Sequence, residues 1–178
     1  QGLKVMAQRA RPGLVALADC ARIDSTPSSY HLGYVFGPRI NAGGRIGQAD
    51  LGVRLLTATH LSEAQPLADR LDQLNAERRT IENQVQSVAL EQAAERGFDQ
   101  PLVWAAGDGW HPGVVGIVAA RLKEASNRPA IVIGFDGDIG KGSGRSVSGI
   151  DLGVQIQRLA ADGLLQKGGG HKMAAGLS

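Results

Sequence analysis

A chain of 178 residues in which 43% of side chains are apolar and 20% charged can bury the core of one domain or one and a half. It has no run near the roughly 18–20 continuous apolar residues of a membrane span, no signal-peptide pattern over residues 1–6, and one thiol, Cys20, which cannot form an internal disulfide. A net charge of +2 is too small to argue for nucleic acid by itself, and the whole reads as a cytoplasmic protein with no membrane among its partners.

Residues 1 to about 60 carry short helical patterns broken at Pro12-Gly13 and at Thr26-Pro27-Ser28-Ser29, with no obvious core of their own. Residues 37–47 (GPRINAGGRIG) hold too much glycine for helix or strand and are expected as a loop. Residues 50–57 then read as a short helix. From 62 to about 96, Leu67, Leu71, Leu74, Ile81, Val85 and Val88 alternate spacings of four and three, with Arg78 at the one polar seam position. This predicts a helix of about 35 residues, roughly 50 Å long, opened by a Ser62/Gln65 capping box and stopped at Gly97. Such a seam suits a long helix bridging two modules or, alternatively, a coiled-coil dimer.

Past Pro101 the pattern becomes alternating strand and helix: strands over 102–106, 130–135 and 142–147, helices over 113–125 and from an Asp151 cap to near Gly163. That is an α/β domain. Its basic residues from Gly140 onward, Lys141, Arg145, Arg158, Lys167 and Lys172, face only Asp151 and Asp162.

Glycine is the unusual residue, with 25 of 178 and several in runs. Runs of glycine usually mark tight turns or close approach of backbone to a ligand. The 37–47 segment sets Arg39, Asn41 and Arg45 among small residues, and arginine forks match phosphate oxygens bidentately. In Gly140-Lys141-Gly142-Ser143-Gly144-Arg145, alternation puts Lys141, Ser143 and Arg145 on one face if the segment is extended. That is a clamp for a sugar-phosphate backbone, and not a P-loop, because the required order is absent. Gly168-Gly169-Gly170-His171 is a third glycine-rich loop, costly in chain entropy, with a histidine able to donate to phosphate or act as acid or base. No carboxylate or cysteine lies at ligand spacing from it, so no metal ligand is assigned in this chain. The string WHPGVVGIVAAR (110–121) places His111 and a tight turn before a helix N-terminus.

Together GPRINAGGR (37–45), LNAERRTI (74–81), WHPGVVGIVAAR (110–121), GSGRS (142–146) and GGGHKMAAG (168–176) resemble RecJ-type exonucleases of the DHH phosphoesterase superfamily, over nearly the whole chain. The resemblance implies a small mixed α/β domain of the DHH-associated type at 98–178, a connecting helix at 61–97, and at 1–60 the C-terminal remnant of a DHH phosphoesterase lobe. It implies 5′-to-3′ hydrolysis of single-stranded DNA in repair and recombination, using Mn2+ or Mg2+ held by a preceding lobe whose Asp-His-His signature is absent here. This chain alone is then expected to be inactive and to bind no metal. By the same resemblance Arg39, Asn41, Arg45, Ser143, Arg145, Gly169 and Gly170 contact DNA phosphate and His171 acts beside the scissile bond. The implied partners are single-stranded DNA, the N-terminal DHH lobe and other DNA-repair proteins. Two alternatives stay open: a DHH-family oligoribonuclease or cyclic-dinucleotide phosphodiesterase, and a non-catalytic nucleic-acid-binding module.

Overall fold

Small residues set how closely the helices of the N-terminal half pack. In the computed structural model, which describes residues 1–178, the chain divides into two compact units, Gln1–Arg79 and Thr80–Ser178. The first contains α1 (Gly2–Ala7), α2 (Pro12–Cys20), α3 (Ser29–His31), a π-helical turn (Leu32–Phe36), α4 (Gly37–Ile46), α5 (Leu51–Thr57) and the start of α6 (Leu61–Arg96). Its core gathers Leu17, Phe36, Leu51, Leu55, Ala64, Ala68, Leu71 and Leu74. A Cβ on Gly13 would overlap the Leu55 carbonyl, and one on Gly52 would sit 2.8 Å from Ile40. Residues 1–60 thus do share a core, completed by the first turns of α6. Their helices are too short for the apolar period to show in sequence.

The expected loop at 37–47 is helix. Pro38 cannot donate to the carbonyl four residues back and its ring crowds that carbonyl. The chain opens into the π turn just before it, where Gly37 N–H donates to the Leu32 carbonyl. A Cβ at Gly37 would lie 2.8 Å from that oxygen. Gly43 faces the core, and a Cβ there would sit 3.2 Å from Leu71. These glycines serve packing, which composition cannot distinguish from loop.

α6 runs 36 residues, one turn of it before Pro66. Because it starts at Leu61, Ser62 lies inside it, and the expected capping box is not the start; Glu63 and Ala64 N–H instead donate to the His60 carbonyl. Gly97, at φ +91°, ends it. Leu67, Leu71 and Leu74 belong to the first core and Val85 to the second, so the seam is spent within the chain rather than on a coiled-coil partner. Val88 is 44% exposed, contrary to the expected repeat, and Ala89 and Ala93 are buried instead. A straight helix of 3.6 residues per turn drifts off a 3.5-residue seam.

The second unit is a mixed α/β domain. Strands β1 (Val103–Asp108), β2 (Ala130–Asp136), β3 (Ile139–Arg145), β4 (Gly168–His171) and β5 (Ala174–Leu177) form one sheet in the order β1-β2-β3-β5-β4. Only β1 and β2 are parallel, joined through α7 (Pro112–Ser126). The other pairs are antiparallel. Val103, Ala105, Ala130 and Val132 line one face, packed with Val114, Val118 and Leu122 of α7 and with Val85, Ala89 and Ala93 of α6. α8 (Leu152–Ala161), capped by Asp151 accepting from Val154 N–H at 3.1 Å, covers the other face through Leu152 and Ile156. The expected third loop is therefore a hairpin, β4 and β5 joined by Lys172 and Met173.

Side chains of α6 bond to the outer edge of β1 at Trp104 and Ala106. Gln92 donates to the Ala106 carbonyl at 2.9 Å and accepts from its N–H at 3.1 Å. Arg96 donates to the Trp104 carbonyl at 3.2 Å and lies 3.9 Å from the centroid of its ring. An edge strand so occupied cannot recruit another strand.

Candidate nucleic-acid interface

Alternation along β3 divides its residues by chemistry. Gly140, Gly142 and Gly144 lie on one face, where Cβ atoms would meet Phe135 of β2 at 2.8 Å, Leu177 of β5 at 2.9 Å and Leu152 of α8 at 2.6 Å respectively. These glycines admit bulky apolar neighbours; they are not the phosphate-facing ones. Lys141, Ser143 and Arg145 point to the opposite face, as the spacing predicted.

Register then assembles the site. Ser143 pairs with Gly176, which pairs with Gly169; Arg145 pairs with Ala174, which pairs with His171. Directly paired residues share a face, so Ser143, Arg145 and His171 stand on one side of three neighbouring strands, Arg145 and His171 roughly 10 Å apart by strand spacing. Between them stands Ala174, and the adjoining rung beside Ser143 is Gly176 and Gly169. A Cβ at Gly169 or Gly176 would meet nothing within 4 Å, so this strip of backbone is open. Gly170 faces the other way. Its φ is +155°, and a Cβ there would overlap the Ala174 carbonyl. Gly170 shapes the hairpin while Gly169 provides the surface.

The Arg145 guanidinium is held flat against its own strand. Nη1 donates to Ser143 Oγ at 3.0 Å and to the Gly144 carbonyl at 2.8 Å. α7 forms the wall beside it: a Cβ on Gly116 would come within 2.9 Å of Arg145 Nη2 and 3.0 Å of Ser143 Oγ. The two bonds fix the orientation of the guanidinium. His111 begins α7 with Nδ1 accepting from Gly113 N–H at 3.0 Å, so its ring is a helix cap. His171 is exposed at the end of β4.

The N-terminal unit carries the other three predicted residues, all on α4 but not on one face. Arg39 lies with Ala42 and Gly43 on the packed side; its Nε donates to Asp72 at 2.7 Å and its Nη1 to the Val35 carbonyl at 2.9 Å, with 15% of the side chain exposed. Asn41 and Arg45, one turn apart, are exposed. Sequence reasoning placed all three in a loop and so could not separate them.

Three residues of α6 were missed as a set. Asn75, Arg78 and Glu82 are buried at 2%, 8% and 9% exposure, and Arg78 Nη2 donates to Asn75 Oδ1 at 2.9 Å. Only Arg78 had stood out, as a charge within an apolar seam. Nearby in the first unit, burial and then the charge of Asp72 push the Cys20 thiol up from 9.0 to about 11. No three His, Cys, Asp or Glu side chains converge as a metal site.

The five-stranded sheet lies within residues 99–178, which match the model of the DHHA1 domain. Over its full length the chain is similar to a segment of proteins named single-stranded-DNA-specific exonuclease RecJ: it is 44% identical to the Dickeya dadantii protein and 41% to that of Escherichia coli, in each case over 187 aligned positions covering 100% of this chain and 32% of the relative. The Bacillus subtilis RecJ is 43% identical over 149 residues, 83% of this chain and 19% of that protein. The crystal structure of Thermus thermophilus RecJ with Mg2+ matches with a TM-score of 0.85 and 36% identity, over 99% of this chain and 27% of that one. A manganese-bound exonuclease RecJ gives the same score and identity over 99% and 43%. The chain thus spans about a third of the length of the curated relatives it matches. Those solved relatives hold Mg2+ or Mn2+. No helix is long and apolar enough to cross a membrane.

Proposed function

We propose that this chain is the strand-holding part of a RecJ-type exonuclease that degrades single-stranded DNA from 5′ to 3′ in the cytoplasm. Residues 1–60 would be the end of a DHH lobe, 61–97 its connecting helix and 98–178 the DHH-associated domain. The metal ions, Mn2+ or Mg2+, belong to the preceding lobe. In this reading Ser143 and Arg145 grip a phosphate, and the strand lies along the bare backbone of Gly169 and Gly176. His171 stands at the far side of the same shelf and donates to the phosphate being cleaved. Asn41 and Arg45 add contacts from α4, while Arg39 holds that helix to Asp72.

The observation that carries the proposal is the register that sets Arg145 and His171 on one rung beside an open glycine floor. Backbone contact without base readout is the expected mode, so affinity falls steeply with salt. Fluorescence anisotropy with a labelled single-stranded oligonucleotide tests it: Arg145→Ala weakens binding by roughly 1–3 kcal/mol, the range for charge-assisted hydrogen bonds. An unchanged affinity at low salt removes Arg145 from the interface. Metal-dependent cleavage by this chain alone would contradict the division of labour between the lobes.

A further inference from the structure

Aromatic rings are scarce in this protein: two Trp, two Tyr and three Phe. Five of the seven are used in packing. Phe36 is in the first core, Phe98 and Trp110 pack against the second, Trp104 lies under Arg96, and Phe135 lies over Gly140. The two tyrosines are the exception. Tyr30 is 62% and Tyr34 69% exposed, and their rings stack on one another at 5.1 Å with an interplanar angle of 26°. Neither ring belongs to any of the three apolar clusters of the chain.

Their place in the fold adds a second observation. α3, the π turn and α4 run as one continuous helical stretch from Ser29 to Ile46. Along it the exposed positions recur at near-helical spacing: Tyr30 and Tyr34, then Asn41 and Arg45. The surface beside them is stripped, since a Cβ on Gly33 or Gly44 would meet nothing within 4 Å. Ring faces, an amide and a guanidinium on one stripe with bare backbone alongside are the components of a single-strand groove, in which bases stack on aromatics and the backbone meets cations.

We infer that Tyr30 and Tyr34 form a base-stacking platform for single-stranded nucleic acid, continuous with Asn41 and Arg45 on the same helical stripe. The inference deepens the proposed function and rests on it. One base stacks on the outer face of the pair, and the sugar-phosphate chain runs along the helix toward Arg45. The contact is indifferent to base identity because every base offers a π face.

The test compares two labelled oligonucleotides of equal length on the 178-residue chain, one of deoxythymidine and one of abasic residues on the same backbone. The wild-type chain prefers the base-bearing strand by roughly tenfold or more. Tyr30→Ala/Tyr34→Ala removes that preference and leaves affinity for the abasic strand within about twofold. Phe at both positions keeps the preference. A preference that survives the double alanine variant overturns the assignment to these rings. Equal affinity of the wild-type chain for both strands overturns stacking but leaves the phosphate shelf standing. No binding of either strand overturns the proposed function and this inference together. If the double variant keeps its preference but changes the mass measured by light scattering, the pair is a protein contact and the inference fails.

Discussion

Gly116→Ala separates stability from binding at the shelf. Gly116 sits in the second turn of α7, where alanine is favoured over glycine by about 0.5–1 kcal/mol. The new methyl would approach Arg145 Nη2 at 2.9 Å and Ser143 Oγ at 3.0 Å, a few tenths of an ångström too close. The closest atom is the end of the Arg145 side chain, so the guanidinium is the group that shifts. Its bonds to Ser143 Oγ and the Gly144 carbonyl, at 3.0 and 2.8 Å, are what yield. The expected outcome is a chain as stable as wild type, or up to about 1 kcal/mol more so by urea denaturation. Its affinity for single-stranded DNA falls about tenfold, the loss of roughly one charge-assisted hydrogen bond. Loss of stability with unchanged affinity would refute the reasoning, because it would mean that helix packing, and not Arg145, occupies the space beside Gly116.

Neighbouring glycines should behave as opposites: Gly170→Ala, at φ +155° and against the Ala174 carbonyl, costs about 2 kcal/mol or more of stability, whereas Gly169→Ala leaves stability nearly unchanged and weakens DNA binding by raising the floor. Denaturation and anisotropy on the pair check this. Arg39→Ala removes the bonds to Asp72 and the Val35 carbonyl and lowers stability by about 1–2 kcal/mol, with a smaller effect on DNA affinity than Arg145→Ala. The raised Cys20 thiol stays protonated in the folded chain until about pH 11, while the unfolded chain loses that proton near 9.0. Its contribution to stability is therefore complete below pH 9 and is lost as pH climbs through 11; alkylation of the native thiol should keep accelerating with pH past 9, and a plateau at pH 9 would contradict the shift.

Much of the second unit was legible because apolar runs and turn residues agree there. The strand at 130–135 and the helices at 113–125 and from Asp151 lie within a residue or two of β2, α7 and α8. Glycine was where reading failed. Gly43 lets α4 approach the core, Gly144 receives Leu152, and Gly170 bends a hairpin; each looks the same in sequence as a glycine that bares backbone to a ligand. Only the packed neighbours tell them apart. Lys141, Ser143 and Arg145 were assigned to one face by alternation alone, but nothing local aligns Arg145 with His171. That depends on β5 pairing with both β3 and β4, a register fixed by residues some thirty positions away. Arg39 and Arg45 were indistinguishable until the segment proved helical and placed them on different sides. Val88 left the seam because a helix does not hold a 3.5-residue period for five turns.

The central claim, that one face of β3, β5 and β4 holds the strand, is tested most directly by mapping backbone amide shifts of the 15N-labelled chain on titration with a short single-stranded oligonucleotide. The account predicts that Ser143, Arg145, Gly169, His171 and Gly176 move together and saturate at one affinity, with α8 unmoved. Shifts confined to α8, or none on these strands while DNA binds elsewhere, would contradict it.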